Sequence, residues 1–300
     1  MPEQARSHIK HAQNGLIMAF FAYIIWGLLP LYLRQLHDIA PVEFVGWRII
    51  STVPVCTLLI LITRQTSQIW AILRSPKLLG LMTLSALLIG GNWLIYIFAV
   101  QQNHIFAASI GYYINPLVNV LLGTLFMGEK LSRRGWLAVG LATLGVTVLI
   151  WGALDTLSIS LSLAATFALY GMVRKLSPVE SLPGLTMETA LLLLPAVLWL
   201  VHLSGQNTGT SLHHHPNLIW LTALSGIVTA TPLLLFAAAA RRMDYSTLGF
   251  IQYISPTLAF LLGIFVFHEH LRPIQLLSFV IIWAALGIFI WDMLAKKSTT

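Results

Sequence analysis

Ten apolar stretches follow one another along this chain, each near the roughly 20 residues that carry a helix across a bilayer. They run approximately over 15–34, 42–63, 78–99, 105–127, 135–153, 157–173, 184–203, 217–239, 246–267 and 274–293. Short breaks between them hold the polar and turn residues, as in Gln35 to Pro41, Arg64 to Lys77 and Gly128 to Arg134. Backbone amides in lipid must be satisfied within their own segment, so stretches of this length read as helices. The expected fold class is therefore all-α: a polytopic membrane protein with ten transmembrane helices. Composition agrees, with 57% hydrophobic and only 9% charged residues, where a soluble domain carries about 25% charged. That excludes a soluble enzyme, a disordered chain and a secreted disulfide scaffold. No break is long enough for a soluble domain. The first apolar run, from Leu16, is too long for a signal-peptide core and lacks a small-residue cleavage site after it. It reads as a retained helix.

Net charge is +7, which in a soluble protein would suggest a nucleic-acid partner. In a membrane protein it reports which loops are cytoplasmic. With the N-terminus inside, 14 of the 17 Lys and Arg residues fall on the inner side, among them Arg6, Lys10, Arg133, Arg134, Arg174, Lys175, Arg241 and Arg242. Only Arg34 and Arg272 lie outside, and Arg48 lies within a span. The expectation is a membrane-embedded chain with both termini cytoplasmic and no nucleic-acid partner. Cys56, the only cysteine, sits in an apolar run, so neither a disulfide nor a thiolate metal site forms within one chain.

The chain also repeats itself. Gly111 to Leu131 aligns without a gap on Ile251 to Leu271 at an offset of 140. Tyr113/Tyr253, Ile114/Ile254, Pro116/Pro256, Gly123/Gly263 and Glu129/Glu269 coincide. Tyr-Ile-x-Pro with a Glu at fixed distance is hard to obtain by chance. More weakly, Tyr23-x-x-Trp26-Gly27 matches Phe167-x-x-Tyr170-Gly171. The organisation expected is a tail 1–14, five helices over 15–153, five more over 154–293, and a tail 294–300. An odd number of helices per half inverts the second copy, the architecture of many secondary transporters. One chain holds both halves, so a monomer suffices and a homodimer is equally compatible.

Asn92-Trp93-Leu94, then Gly111-Tyr112-Tyr113-Ile114-Asn115-Pro116-Leu117 and Gly128-Glu129, resemble the RarD subfamily of the EamA-type branch of the drug/metabolite transporter superfamily. The resemblance covers essentially the whole chain. It implies ten helices, an inner-membrane location with cytoplasmic termini, and export of small metabolites or drugs.

Polar residues inside a membrane line cavities or mark function. Ser85, Asn92 and Tyr96 share a face of the third span; Ser109, Tyr112, Asn115 and Asn119 share one of the fourth. Gly249, Gln252, Ser255 and Ala259 are the repeat counterparts of the latter set. With Trp26, Trp93, Tyr113, Tyr170 and Tyr253 these form an expected substrate-binding cavity, aromatic enough for an amphipathic small molecule. The competing reading is interhelical hydrogen bonding. Pro116 and Pro256 kink the fourth and ninth helices, either as paired hinges or as static bends.

Arg48 lies about six residues into its span, roughly 9 Å of rise. It suits an anionic substrate group, or Glu43, or a snorkelling role. Glu188 is placed to bind a proton or cation, or to serve as a capping or interfacial carboxylate, and it is not expected to meet Arg48. Glu129 and Glu269 read as structural, meeting the starts of the fifth and tenth helices or Arg133, Arg134 or Arg272. His213-His214-His215 reads as a solvated loop, and His268-Glu269-His270 lacks zinc-protease spacing. No phosphate-binding loop is present, and no cofactor or metal is expected. The leading function is a secondary-active exporter of small amphipathic molecules through one central site. A lipid-modifying membrane enzyme, or a scaffold without transport, is the alternative.

Overall fold

A computed structural model of the chain describes residues 3–102, 104–151, 157–205, 209–268 and 273–298. Its helices are α1 (Glu3–Arg34), α2 (Pro41–Ile62), α3 (Thr66–Arg74), α4 (Pro76–Gln101), α5 (Ile105–Phe126), α6 (Arg133–Ile150), α7 (Leu157–Leu176), α8 (Ser181–Ser204), α9 (Ser211–His214), α10 (Ile219–Ala240), α11 (Tyr245–Gln252), α12 (Ile254–Phe265) and α13 (Pro273–Ser298). No strand occurs among the described residues. Ten segments are long and apolar enough to cross a membrane, with α11 and α12 together forming the ninth.

Three local features depart from the sequence reading. The break over Arg64 to Lys77 contains the helix α3, too short and polar to read as a span but apolar on the side where Ile72 is buried. The N-terminal tail is helical from Glu3 and continuous with the first span. The ninth span is interrupted at Tyr253, three residues before Pro256, whereas α5 runs unbroken through its repeat counterpart Pro116.

The ends follow from local chemistry. Pro41 opens α2, where its missing N–H is harmless. Ser132 caps α6 by accepting from Gly135 N at 2.9 Å, and its hydroxyl donates to Asp292 at 2.6 Å, tying α6 to α13. After α5, Gly128 takes φ 67°, and Glu129 N–H returns to the Gly123 carbonyl at 3.0 Å in a Schellman-type closure. Its repeat partner His268 adopts φ 55° at the same place after α12. Both halves thus turn left-handed at the same point, although only one has glycine.

The two halves pack as a pseudo-twofold pair. Exchanging α1 with α7, α2 with α8, α4 with α10, α5 with α11–α12 and α6 with α13 maps the helix neighbours onto one another. Thus α1–α12 corresponds to α5–α7, α1–α10 to α4–α7, and α2–α10 to α4–α8; α2–α8, α5–α11 and α6–α13 map onto themselves. At the α5–α11 crossing a Cβ on Gly249 would lie 2.7 Å from the Pro116 carbonyl, so the backbones meet only because that position is bare. The outside of the bundle is apolar: Leu125, Phe126 and Leu194 are each about two-thirds exposed, a lipid-facing pattern. Trp136, Trp151 and Trp291 are exposed near the ends of membrane spans, and Trp70 is exposed in the short helix α3 between two of them, the usual interfacial position.

Candidate functional site

A cavity of about 590 Å³ lies between the halves, within the size range of small-molecule sites. Its walls come from the halves of α1, α2, α4, α5, α12 and α13 that lie away from the chain termini, with Leu33, Val45 and Gln275 toward that end. Toward the termini it stops at an aromatic floor. Trp26 packs on Tyr23, Phe167 and Phe236 with ring centroids 5.6–5.7 Å apart, and Phe236 stacks on Tyr170 at 6.1 Å.

Of the residues proposed from sequence, Trp26, Asn92, Trp93, Tyr96, Tyr112, Tyr113 and Gln252 line this cavity, together with Arg48 and Pro256. Asn92 stands on the wall with its amide anchored to α7, donating to the Leu163 carbonyl and Thr166 Oγ1, each at 2.9 Å. Tyr96 and Tyr112 face each other with centroids 6.4 Å apart. Tyr113 packs edge-on against Phe279 at 5.4 Å, and its hydroxyl donates to the Pro256 carbonyl at 3.4 Å.

Asn115, Asn119, Tyr170 and Tyr253 do not line the cavity; each is turned into a helix interface. Asn115 donates to the Ala164 carbonyl at 2.8 Å. Asn119 donates to Asn115 Oδ1 at 3.2 Å and to Gln252 Oε1 at 2.9 Å. These amides clamp α5 to α7 and α11. Tyr253 donates to the Tyr113 carbonyl at 3.3 Å, and Tyr170 points below the floor. Depth accounts for Asn115, Asn119 and Tyr170: the cavity fills only one end of the bundle, so a stripe running the length of a helix passes from wall to packing. Ser85 leaves the cavity for the same reason. Tyr253 lies at cavity depth, between the lining residues Gln252 and Ser255, and is turned to the other face.

Glu188 is neither a cap nor interfacial. It is 1% exposed beneath the floor, where Arg174 Nη1 lies 3.5 Å away. Ser85 Oγ donates to it at 2.6 Å and Tyr170 Oη at 3.4 Å. Arg174 is fully buried, and its Nη2 donates to the carbonyls of Glu180 and Ser181, each at 3.1 Å.

Glu129 meets the start of α11 rather than the fifth helix. Its carboxylate accepts from Tyr245 N at 2.6 Å and from Ser246 N and Oγ at 2.8 and 2.7 Å, with Lys175 Nζ at 3.7 Å. A carboxylate there complements the helix dipole. Tyr245 Oη donates to the Ala168 carbonyl at 2.6 Å, and Arg241 donates to the Val179 carbonyl. These contacts close the end that carries the termini. Glu269 and Arg272 lie outside the described residues.

Arg48 does not snorkel. Its Nε donates to Thr229 Oγ1 at 3.1 Å, and its guanidinium lies 4.9 Å from the Trp93 ring centroid. Nor does it pair with Glu43, whose oxygens accept from Trp47 Nε1 at 3.0 Å, Ser211 N at 2.6 Å and Leu212 N at 3.1 Å. The His213–His215 segment is correspondingly held: its helix α9 is anchored by Glu43, and His215 Nδ1 lies 3.9 Å from Asp38. Sequence reasoning did not name Tyr23 and Phe167 as wall residues, yet both line the cavity. Their signal was the repeat itself, since they are partners in the motif that also carries Trp26 and Tyr170.

Comparison with known proteins places this geometry. The profile of the EamA-like transporter family matches residues 13–151 and again 150–291. The chain is 41% identical over 283 residues to Protein RarD of Salmonella typhi, covering 94% of this chain and 96% of the relative. It is 40% identical to Protein RarD of Escherichia coli strain K12, covering 97% and 98%, and 37% identical to "Uncharacterized transporter YojE" of Bacillus subtilis strain 168, covering 96% and 98%. A crystal structure of another protein shares the fold with a TM-score of 0.70 at 17% identity, over 91% of this chain and 96% of that one. With two family matches that coincide with its two five-helix halves and close relatives along its full length, the chain belongs to the EamA-like transporter family, in the RarD subfamily of the drug/metabolite transporter superfamily.

Proposed function

We propose that the protein is a secondary-active exporter that moves small amphipathic molecules across the inner membrane by alternating access to the cavity between its halves. The observation that carries this is the cavity's place: at the repeat interface, extending to one end of the bundle and closed at the other. In an inverted repeat each half can adopt the other's conformation, so an arrangement open at one end has a mirror arrangement open at the other. The excess of Lys and Arg on the side of the termini supports cytoplasmic ends. The conformation described then faces outward, the release state of an exporter. The relatives named as transporters support the class of activity.

The test is flux in proteoliposomes of the purified protein across a panel of amphipathic metabolites. Saturable efflux that collapses with dissipation of the ion gradient is expected. Product formation without flux would replace the reading with a membrane enzyme. Topology is tested by reporter fusions at residue 300 and between α8 and α9, which are expected to report opposite sides. The same side for both would overturn the ten-span orientation.

A further inference from the structure

Arg48 is the one charged side chain on the cavity wall among the described residues. No carboxylate lies within 4.0 Å of it among those residues. The nearest acid on its own helix, Glu43, has both oxygens engaged by Trp47 and by the backbone of α9. The titratable groups that interact with Arg48 are the phenols of Tyr112, Tyr32 and Tyr96, all neutral donors.

The guanidinium is also held in place. Its Nε is bonded to Thr229 and its plane is supported by Trp93. That leaves the two terminal nitrogens as donors without a protein acceptor among the described residues. A cation at membrane depth without a counter-ion is costly, and two parallel N–H groups match a planar oxyanion in bidentate fashion.

We infer that the cavity selects a monoanion with a planar apolar body, a small aromatic carboxylate, with its carboxylate on Arg48. The body lies against the aromatic floor of Trp26 and Phe167, where ring faces and edges offer stacking without a charge requirement. A single positive group with no acid beside it admits one negative charge and repels organic cations. This deepens the transport reading, on which it rests only in taking the cavity as the substrate site.

The experiment compares three matched probes on the protein in nanodiscs by titration calorimetry: phenylpropionate, phenylpropionamide and phenylpropylamine. The acid is expected to bind about tenfold or more tighter than the amide, the difference a charge-assisted bidentate pair supplies, and the amine not at all. Arg48→Gln is expected to bind acid and amide alike, and Arg48→Lys to keep the preference at reduced affinity. The wild-type comparison needs no variant, so a variant that fails to fold does not remove the test. Equal binding of acid and amide, preferred binding of the amine, no binding of the acid, or an undiminished preference in folded Arg48→Gln would each overturn the assignment. Arg48-dependent binding without flux would overturn transport and leave the anion site standing. Flux of the acid at the wild-type rate in Arg48→Gln would do the reverse.

Discussion

Arg174 and Glu188 are buried together at 0% and 1% side-chain exposure. Such a pair is held by its remaining hydrogen bonds as much as by its own attraction. Here Ser85 and Tyr170 donate to the carboxylate, and the carbonyls of Glu180 and Ser181 accept from Nη2 of the guanidinium, whose Nε is left without a partner among the described residues. Gly184 makes the room, since a Cβ there would overlap the Arg174 guanidinium. Removing one partner strands the other, so Glu188→Ala is expected to destabilise the fold by about 3–5 kcal/mol. Adding Arg174→Met to that variant is expected to restore most of the loss. Thermal unfolding in detergent reads both, and a single variant melting with the wild type would show the pair to be hydrated. The sequence placed Glu188 inside a span but counted Arg174 among loop charges. Its burial depends on the gap at Gly184 in a different helix, which no local pattern displays. Arg48 was legible as an intramembrane charge, while its freedom from Glu43 was not, because α9 takes that carboxylate from 168 residues away.

Helix by helix, the closed end depends on where α11 begins. Glu129 follows the turn at Gly128 and accepts three hydrogen bonds from Tyr245 and Ser246, so the exit of α5 is fastened to the entry of the ninth span. Deleting a side-chain cap of this kind costs about 1–2 kcal/mol, enough to shift a two-state population by roughly 5–30-fold. Glu129→Ala is therefore expected to favour opening at the termini. The readout is a cysteine at Met172, which packs into the core at that end, in a background with Cys56→Ala. A thiol reagent added from that side is expected to label it faster than in the Glu129 parent, and equal rates would make the contact passive. The same element explains a partial success of sequence reading. The stripe Ser109, Tyr112, Asn115, Asn119 was legible as one face of α5, but periodicity gives the face and not the depth at which cavity gives way to packing. The proline pair was legible too. Their surroundings differ, since α5 runs unbroken through Pro116 while the ninth span breaks at Tyr253.

At the scale of the whole molecule, ten spans and their duplication were legible because bilayer thickness fixes length and the Tyr-Ile-x-Pro motif recurs at fixed spacing. Which end is open was not, because an inverted repeat makes the two states near mirror images and leaves the choice to small differences. One such difference is the left-handed turn, carried by Gly128 in one half and by His268 in the other; the non-glycine residue bears more strain. Alternating access requires the closed end to part, and α1 with the segment after α10 offers a place to prevent it. A Cβ on Gly15 would lie 2.9 Å from the Arg242 Cβ, closer than the roughly 3.8 Å of a disulfide, so a small shift accommodates one. Gly15→Cys with Arg242→Cys, again with Cys56→Ala, is expected to cross-link on oxidation. The linked protein is expected to lose most of its flux and recover it on reduction, while still binding ligand from the open side. Cross-linked protein transporting at the reduced rate would mean that this end never opens, and the cavity would then be a one-sided pocket rather than a pathway.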